Sequence, residues 1–232
     1  MPRSPAGDRV VSRHVVIMKT IAFFTQKGGA GKSTLSIHVA VAAGFKHKVL
    51  LIDADPQGTV ATWAEGRINE KPLVVRANPS SIVEILAAAR ADGFTLAVID
   101  CPPHAIAGTG ALLKAADHIV MPAQPAMPDI AASKRSIELA IASGRPYSIV
   151  INRAPARAPE VLQAQQVLAT AGVLSPIVIG DRRAFSRALT DSMAVTEFSR
   201  EDEKAAIEVI QFWRWLDQHT TECHTWPQPA AA

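Results

Sequence analysis

Short apolar runs alternate with amphipathic segments along most of the chain. Runs such as VLLID, TLAVID and YSIVIN are nearly continuous, as expected for strands buried on both faces. We predict strands near residues 15–25, 48–53, 72–76, 94–100, 117–122, 147–152 and 173–179. Helical patterns separate them, near residues 32–44, 58–65, 80–91, 106–116, 128–143 and 158–171. This alternation predicts an α/β fold, with a mostly parallel, twisted sheet of about seven strands and helices on both faces.

The length of 232 residues suits one domain of this kind. We expect the domain to span residues 18–218, because Met18 begins the sequence MKTIAFF and the last helical pattern ends near residue 218. Residues 1–17 are then a short extension, and the Pro- and Ala-containing residues 219–232 a flexible tail. The last helical pattern places apolar side chains on one face, which predicts packing on the core; they are Ile207, Ile210, Trp213 and Leu216.

Composition narrows the class of protein further. Hydrophobic residues make up 48% of the chain, charged residues 19%, and the net charge is only +3, values that are ordinary for a globular protein. The two cysteines form no C-x-x-C pair, so neither a disulfide scaffold nor an iron–sulfur or zinc site is expected. No apolar run reaches 18 residues, and the last helix has a mixed to acidic polar face, which disfavours a membrane anchor. These features predict a cytoplasmic protein.

The segment KGGAGKS, Lys27 to Ser33, lies where the first strand gives way to the first helix. Glycines at such a turn let backbone N–H groups close around phosphate oxygens, and the helix N-terminus favours negative charge. Lys32 is predicted to hold the β- and γ-phosphates of a nucleotide, and the Ser33 hydroxyl to ligate Mg²⁺. The segment departs from the usual P-loop pattern because Gln26 replaces its first glycine and a second lysine, Lys27, stands at the entrance.

Further polar residues follow the other predicted strands. DADPQG (Asp53 to Gly58) offers carboxylates to Mg²⁺ and the γ-phosphate, although by itself it also fits a helix cap and turn. Asp100 ends an apolar strand, as a Walker B aspartate does, or else caps a turn. Asn152 is a candidate for reading a purine base, with a turn-capping role as the alternative. The carboxyl ends of parallel strands meet at one edge of a sheet, so we expect these residues to share one site.

Together these motifs resemble the ParA/MinD family of deviant Walker A ATPases. The resemblance covers roughly Lys19 to Leu216 and includes KGGAGKS, DADPQG, the Asp100 strand, the run MPAQPAMPDIAA and the segment IGDRRAFSRAL. Within the family, the chain most resembles the small ParA partition ATPases, which lack an N-terminal DNA-reading domain.

The resemblance implies a role for each matching residue. Lys27 matches the signature lysine that reaches the nucleotide of a partner subunit, Asp55 the aspartate that positions or activates the attacking water, and Asp100 the Mg²⁺ aspartate. Asn152 lies where the family often contacts adenine. The catalytic residues are then Lys27, Lys32 and Asp55, and the Mg²⁺ ligands Ser33, Asp55 and Asp100. The ATP-binding residues are Lys27, Gly28, Gly29, Ala30, Gly31, Lys32, Ser33, Thr34 and Asn152.

The resemblance also implies partners. ATP makes a sandwich homodimer, and basic residues of the C-terminal region bind DNA without sequence preference. The matching residues here are Arg182, Arg183, Arg187 and Arg214, with Arg200 and Lys204 nearby, although the same segment also fits a solvated helix face. A ParB-like, centromere-binding adaptor stimulates hydrolysis, and the protein is associated with the nucleoid.

The leading hypothesis is therefore an ATPase that segregates plasmid or chromosomal DNA. The alternative keeps the ATPase but moves a protein cargo, such as a chemoreceptor cluster or a microcompartment. A metallocluster member of the same fold would need paired cluster cysteines, which the chain lacks. A fourth hypothesis is a nucleotide-dependent binding module with little turnover. The presence of Asp55, which matches the aspartate that positions or activates the attacking water, disfavours it.

Overall fold

A computed structural model describes residues 18–103, 107–197 and 203–222. These residues form one sheet of seven strands, as the alternating pattern predicts, together with eight helices. The strands are β1 (Lys19–Phe23), β2 (Val49–Asp53), β3 (Leu73–Arg76), β4 (Leu96–Asp100), β5 (His118–Ala123), β6 (Tyr147–Ile151) and β7 (Val173–Leu174). The helices are α1 (Lys32–Ala43), α2 (Thr59–Glu65), α3 (Ile82–Ala91), α4 (Thr109–Ala115), α5 (Met127–Ser143), α6 (Pro159–Ala169), α7 (Arg183–Thr190) and α8 (Glu203–Glu222).

Every strand pair in this sheet is parallel, and the order is β3-β2-β4-β1-β5-β6-β7. The order reverses at β1, which lies between β4 and β5. In a parallel sheet, ligands bind beyond the carboxyl ends of the strands at such a reversal. The register aligns Phe23 of β1 with Asp100 of β4, and Asp100 with Asp53 of β2, so the three strand ends are level.

Two apolar cores cover the two faces of the sheet, because successive side chains of a strand point to opposite sides. Ile21 and Phe23 belong to the core that includes α1 and α8, whereas Ala22 and Phe24 belong to the core under α3, α4 and α5. Strands buried on both faces explain the continuous apolar runs in the sequence.

The last strand is shorter than predicted. We expected a strand over residues 173–179, but β7 contains only Val173 and Leu174. The Ser175 hydroxyl then accepts a hydrogen bond from the backbone N–H of Ile177 and donates one to its carbonyl, closing a local turn around Pro176. The N–H of Ile177 is therefore used within the segment and not in the ladder, although the N–H groups of Ser175 and Ile179 on either side still donate to Ile149 and Ile151 of β6.

The C-terminal part differs from expectation in three respects. Helix α7 lies in the segment IGDRRAFSRAL, for which the pattern predicted no helix. Helix α8 runs to Glu222, four residues into the predicted tail, while residues 1–17 and 223–232 lie outside the described part. Trp213 and Leu216 are buried as expected, but Ile207 is 42% exposed, and the buried face is completed by Val209 and Phe212 instead.

Candidate nucleotide site

The structure brings the predicted strand-end residues together at one edge of the sheet. A cleft of about 820 Å³ lies there, lined by the loop after β1, the loop after β2, the end of β6 and helix α7. Its lining includes Lys32, Ser33, Asp55 and Asn152. The cleft opens at the reversal of strand order, where the topology places a ligand.

The loop between β1 and α1 has the backbone shape of a phosphate cradle. Gly29 and Gly31 have φ angles of +75° and +91°, a left-handed conformation that side chains with a Cβ rarely adopt. A Cβ on Gly31 would also lie 2.2 Å from the Asn152 amide nitrogen. Helix α1 begins at Lys32 without a side-chain cap, so its first N–H groups have no cap to satisfy them and face the cleft.

Lys32 and Asp100 are the buried ionisable residues at the centre of this site. The Lys32 ammonium donates a 3.3 Å hydrogen bond to the Lys27 carbonyl oxygen. Burial lowers the pKa of Lys32, against the opposing effect of Asp100 and Asp55. Burial raises the pKa of Asp100 to about 8, while the Ser33 hydroxyl and the Lys32 ammonium act in the opposite direction.

The Asp100 carboxylate is fully buried, and no described residue makes a hydrogen bond of ordinary geometry to either oxygen. An unpartnered buried carboxylate costs free energy unless a cation or a donor satisfies it. The Ser33 hydroxyl close by is a second oxygen ligand of the kind that Mg²⁺ takes alongside nucleotide phosphates. The residues present therefore fit a nucleotide with Mg²⁺, in which Ser33 and Asp100 would hold the metal and the loop amides would bind the phosphates.

The loop after β2 is held by its own carboxylates. Asp53 is buried, and its two oxygens accept backbone hydrogen bonds from Asp55 at 3.2 Å and from Ala61 at 2.8 Å. Asp53 thus ties the loop to helix α2 and is not directed at a ligand. Asp55 is only half-buried and lines the cleft, where its carboxylate also caps the turn by accepting from the Gln57 N–H.

Helix α5 holds the entrance of the phosphate loop. Lys27 forms an ion pair with Asp129 of the same chain, with side chains 36% and 8% exposed, respectively. The Ser136 hydroxyl accepts a 2.9 Å hydrogen bond from the Gln26 N–H, and Gln124, just before α5, donates to the Gly29 carbonyl. The lysine expected to reach a partner subunit is therefore paired within its own chain.

Asn152 lies beneath the phosphate loop. Its side-chain nitrogen donates a 2.8 Å hydrogen bond to the Ala30 carbonyl oxygen, and the residue is buried. This amide supports the backbone of the cradle, and because Asn152 also lines the cleft, its contact with adenine stays a prediction.

The four predicted DNA-binding arginines do not form one free surface. Arg182 is bound to Glu208 of α8, and Arg183 lines the nucleotide cleft. Arg187 lies on the exposed face of α7, and Arg214 is exposed on α8. Arg200 lies outside the described residues.

Several residues of the site carry no clear signal in the sequence. Asp129 lies in the MPAQPAMPDIAA run, but only the fold places its carboxylate against Lys27. The aromatic ring of Phe185 lines the cleft from α7, which was not predicted as a helix. Glu208 stands among other acidic residues of α8, and its partner is 26 positions away in the chain.

Two observations concern metal-binding clusters and membrane-spanning helices. Among the described residues, no group of three or more His, Cys, Asp or Glu side chains is arranged to hold a metal ion, and Cys101 is buried with a free thiol. No helix in the same residues has the length and apolar character needed to cross a membrane.

Comparison with known proteins identifies the family. The family model of the CobQ/CobB/MinD/ParA nucleotide binding domain matches residues 21–195 of this chain. This match covers more than half of the sequence, so the chain belongs to this family of nucleotide-binding proteins, and the resemblance deduced from its motifs is confirmed.

Individual relatives narrow the comparison. The chain is 30% identical to the maintenance of carboxysome distribution protein A of Gloeobacter kilaueensis over 209 residues. The alignment covers 88% of this chain and 88% of that protein. It is 32% identical over 150 residues to the chromosome partitioning protein ParA of Caulobacter vibrioides, covering 46% of this chain and 56% of that protein. The structure of MinD from Pyrococcus horikoshii with Mg-ADP superposes with a TM-score of 0.73 at 15% identity, over 90% of this chain and all of the other, which shows the shared fold.

These relatives change the order of the functional hypotheses. The carboxysome distribution protein matches over nearly the full length, whereas the chromosome partitioning protein matches over less than half of this chain. The protein-cargo alternative is therefore better supported than DNA segregation, which the sequence had favoured.

Proposed function

We propose that this protein is a Mg²⁺-dependent ATPase that dimerises around ATP and positions a large protein assembly on DNA. We infer ATPase activity mainly from the Asp100 carboxyl group, which is buried without a hydrogen-bond partner beside Ser33 and Lys32. The glycine loop above it has the backbone shape of a phosphate cradle. This arrangement is suited to a nucleotide with its metal ion, because without such a ligand the Asp100 oxygens stay buried without a partner.

Each side chain then has a defined task. The Lys32 ammonium neutralises phosphate charge, and the amides at the start of α1 bind phosphate oxygens. Ser33 and Asp100 would hold a bound Mg²⁺ ion, which would neutralise further phosphate charge. Asp55 reaches the cleft from a loop fixed by Asp53, and its carboxylate orients a water molecule for attack and accepts its proton.

The ion pair of Lys27 with Asp129 suggests how dimerisation depends on ATP. Lys27 is more than a third exposed and directly precedes Gly28, which lines the cleft, so its ammonium can leave Asp129 for a stronger anion. The triphosphate of a second subunit is such an anion. Two subunits that exchange Lys27 in this way separate again when the γ-phosphate is lost.

A phosphate-release assay, run alongside measurement of molecular size, tests this proposal. The wild-type protein is expected to release phosphate slowly with ATP and Mg²⁺, and to form dimers with ATP but not with ADP. Lys32→Ala is expected to lose ATP binding and both properties. Tight ATP binding by this variant would contradict the cradle, and dimers without phosphate release would indicate a binding module instead of an enzyme.

The identity of the cargo is inferred from the relatives. The full-length match to a carboxysome distribution protein supports a protein assembly such as a microcompartment. DNA would then be the track along which the assembly is distributed, and an adaptor protein on the cargo would stimulate hydrolysis. Segregation of a plasmid or chromosome with a ParB-like adaptor is the second candidate, supported by the partial match to ParA.

Deletion of the gene in its source organism separates the two candidates. If the cargo is a protein assembly, its copies are expected to cluster and to be inherited unevenly, while DNA content per cell stays normal. Loss of plasmids or cells without DNA, with protein assemblies evenly placed, would favour segregation of DNA.

A further inference from the structure

The corner between α7 and α8 holds the most fully bound arginine of the predicted DNA surface. Arg182 donates from Nε to the Glu208 Oε2 atom at 3.1 Å and from Nη2 to Oε1, so the guanidinium and carboxylate are paired at two points. Glu208 Oε2 also accepts the backbone N–H of Gly180 at 3.1 Å. The two side chains are only 35% and 18% exposed.

This contact differs from the other ion pair nearby. Arg153 and Asp181 are 3.6 Å apart, and both side chains are more than half exposed, so that pair contributes little. The Arg182–Glu208 pair is bidentate and partly shielded from water, which makes it stronger and more specific in geometry. This contact occupies the Nε–Nη2 edge of the guanidinium and leaves only its outer Nη1–Nη2 edge for a phosphate. The nearby negative charge of Glu208 also weakens the attraction of Arg182 for a phosphate.

Arg182 lies where its release from Glu208 would change the charge of the surface around the nucleotide cleft. Gly180 and Arg182 line the nucleotide cleft, and they also line a separate groove of about 540 Å³ beside α6. The exposed Arg183 follows directly at the start of α7. An Arg182 side chain released from Glu208 would therefore add a second positive charge beside it.

We propose that Glu208 is an internal competitor of DNA, and that its carboxylate withholds Arg182 from the phosphate backbone. The inference rests on the DNA binding included in the proposed function. It adds an inhibitory contact within the chain that keeps the affinity for DNA low enough for release.

Replacement of Glu208 by glutamine tests the proposal, because it keeps the side-chain shape and removes the charge. The variant Glu208→Gln, loaded with a non-hydrolysable ATP analogue and Mg²⁺, is expected to bind nonspecific duplex DNA several-fold more tightly than the wild-type protein. The plot of log K against log salt concentration should become steeper by about 0.9, the effect of one added phosphate contact. The affinity for ATP should not change.

Two further variants make the result specific. Glu203→Gln removes one negative charge from an exposed position of the same helix, and it should change DNA binding much less. In an Arg182→Ala background, Glu208→Gln should give no gain. A gain equal to that of Glu203→Gln, or one that persists without Arg182, would overturn the inference.

A third variant covers the case in which Glu208→Gln is unstable. Arg182→Lys keeps the positive charge but cannot make the two-point contact, so it should also bind DNA more tightly than the wild-type protein. If it binds no more tightly, the inference is wrong. If the wild-type protein and every variant fail to bind DNA even at low salt, the DNA-binding part of the proposed function is wrong instead. A changed affinity for ATP alone would place the released Arg182 in the nucleotide cleft and would also overturn the inference.

Discussion

At the scale of single residues, burial decides what each charged group of the site can do. Lys32 and Asp100 are buried close together, and each loses hydration that only the other groups of the site or a ligand can replace. Asp55 and Lys27 lie nearer the solvent, where a side chain can change partners. The site therefore combines a fixed centre with two adjustable residues at its rim.

Replacement of Asp55 by alanine should separate binding from turnover. The carboxylate lines the cleft but does not hold the phosphate loop, so the variant Asp55→Ala should bind ATP and dimerise normally. Phosphate release should fall at least about 100-fold, in the range typical of loss of general-base catalysis. Size measurement and a phosphate-release assay test both parts, and normal hydrolysis would remove Asp55 from this role.

Replacement of Asp129 by asparagine should favour the dimer. The ion pair with Lys27 must be broken before the lysine can bind a partner's phosphates, so its removal lowers the cost of dimerisation. The variant Asp129→Asn should dimerise with ATP at a lower protein concentration than the wild-type protein. Glu138→Gln, on the exposed face of the same helix, is the matched control, and equal dimerisation of the two variants would contradict a role for Asp129.

At the scale of elements, the segment after α7 is fastened to the two helices that follow the nucleotide loops. The Val195 N–H donates to His38 on α1, and the Trp63 indole of α2 donates to the Met193 carbonyl. Arg67 connects the same segment to α2. Its side chain is only 4% exposed, stacks on Trp63 and donates hydrogen bonds to both carboxylate oxygens of Glu197. Helix α7 is therefore positioned by contacts distant in sequence.

Loss of Arg67 should destabilise the protein strongly. Arg67→Met leaves the Glu197 carboxylate without its main partner, and breaking a buried pair in this way costs about 3 kcal/mol or more. The double variant Arg67→Met/Glu197→Gln should recover part of this free energy of unfolding, because no unpaired charge remains. Denaturant titration provides the measurement. Arg153→Ala, which breaks an exposed pair, should stay within about 0.5 kcal/mol of the wild-type protein.

At the scale of the whole molecule, two buried histidines link stability to pH. Burial lowers the pKa of both His38 and His118 to about 3; Glu197 opposes the shift at His38, whereas His219 and Lys19 add to it at His118. In the unfolded chain these rings take up protons below about pH 6.5, whereas in the folded protein they stay neutral. Proton uptake by these rings then favours the unfolded state, so their contribution lowers the stability as the pH decreases from about 6.5 toward 3, whereas the raised pKa of Asp100 acts in the opposite direction.

The variant His118→Gln should lessen this acid sensitivity. Glutamine does not titrate, and it can still form a hydrogen bond with Ser148, the partner of the histidine ring at 2.9 Å. The free energy of unfolding, measured between pH 7.5 and pH 5, should decrease less for the variant than for the wild-type protein. An identical decrease in both proteins would show that His118 is not responsible.

Much of the fold could be predicted from the sequence, because its signals are local. Continuous apolar runs identify the buried strands, and the alternation with helical patterns identifies the parallel α/β class. The errors occur where local pattern and tertiary environment disagree. Strand β7 ends early because the Ile177 N–H binds the Ser175 hydroxyl and not β6. Helix α7 has only eight residues, although its buried side chains Ala184, Phe185 and Ala188 lie at helical spacing.

The sequence by itself determined the family, the order of the elements and the strand ends at which polar residues gather, because these depend on spacing and on the burial of apolar side chains. The tertiary structure alone decided the partners of those polar residues. Lys27 pairs with Asp129, Asn152 supports the phosphate loop, and Arg182 binds Glu208. Hydrogen bonds and ion pairs act over about 3 Å, and only the folded chain brings residues so far apart in sequence to that distance.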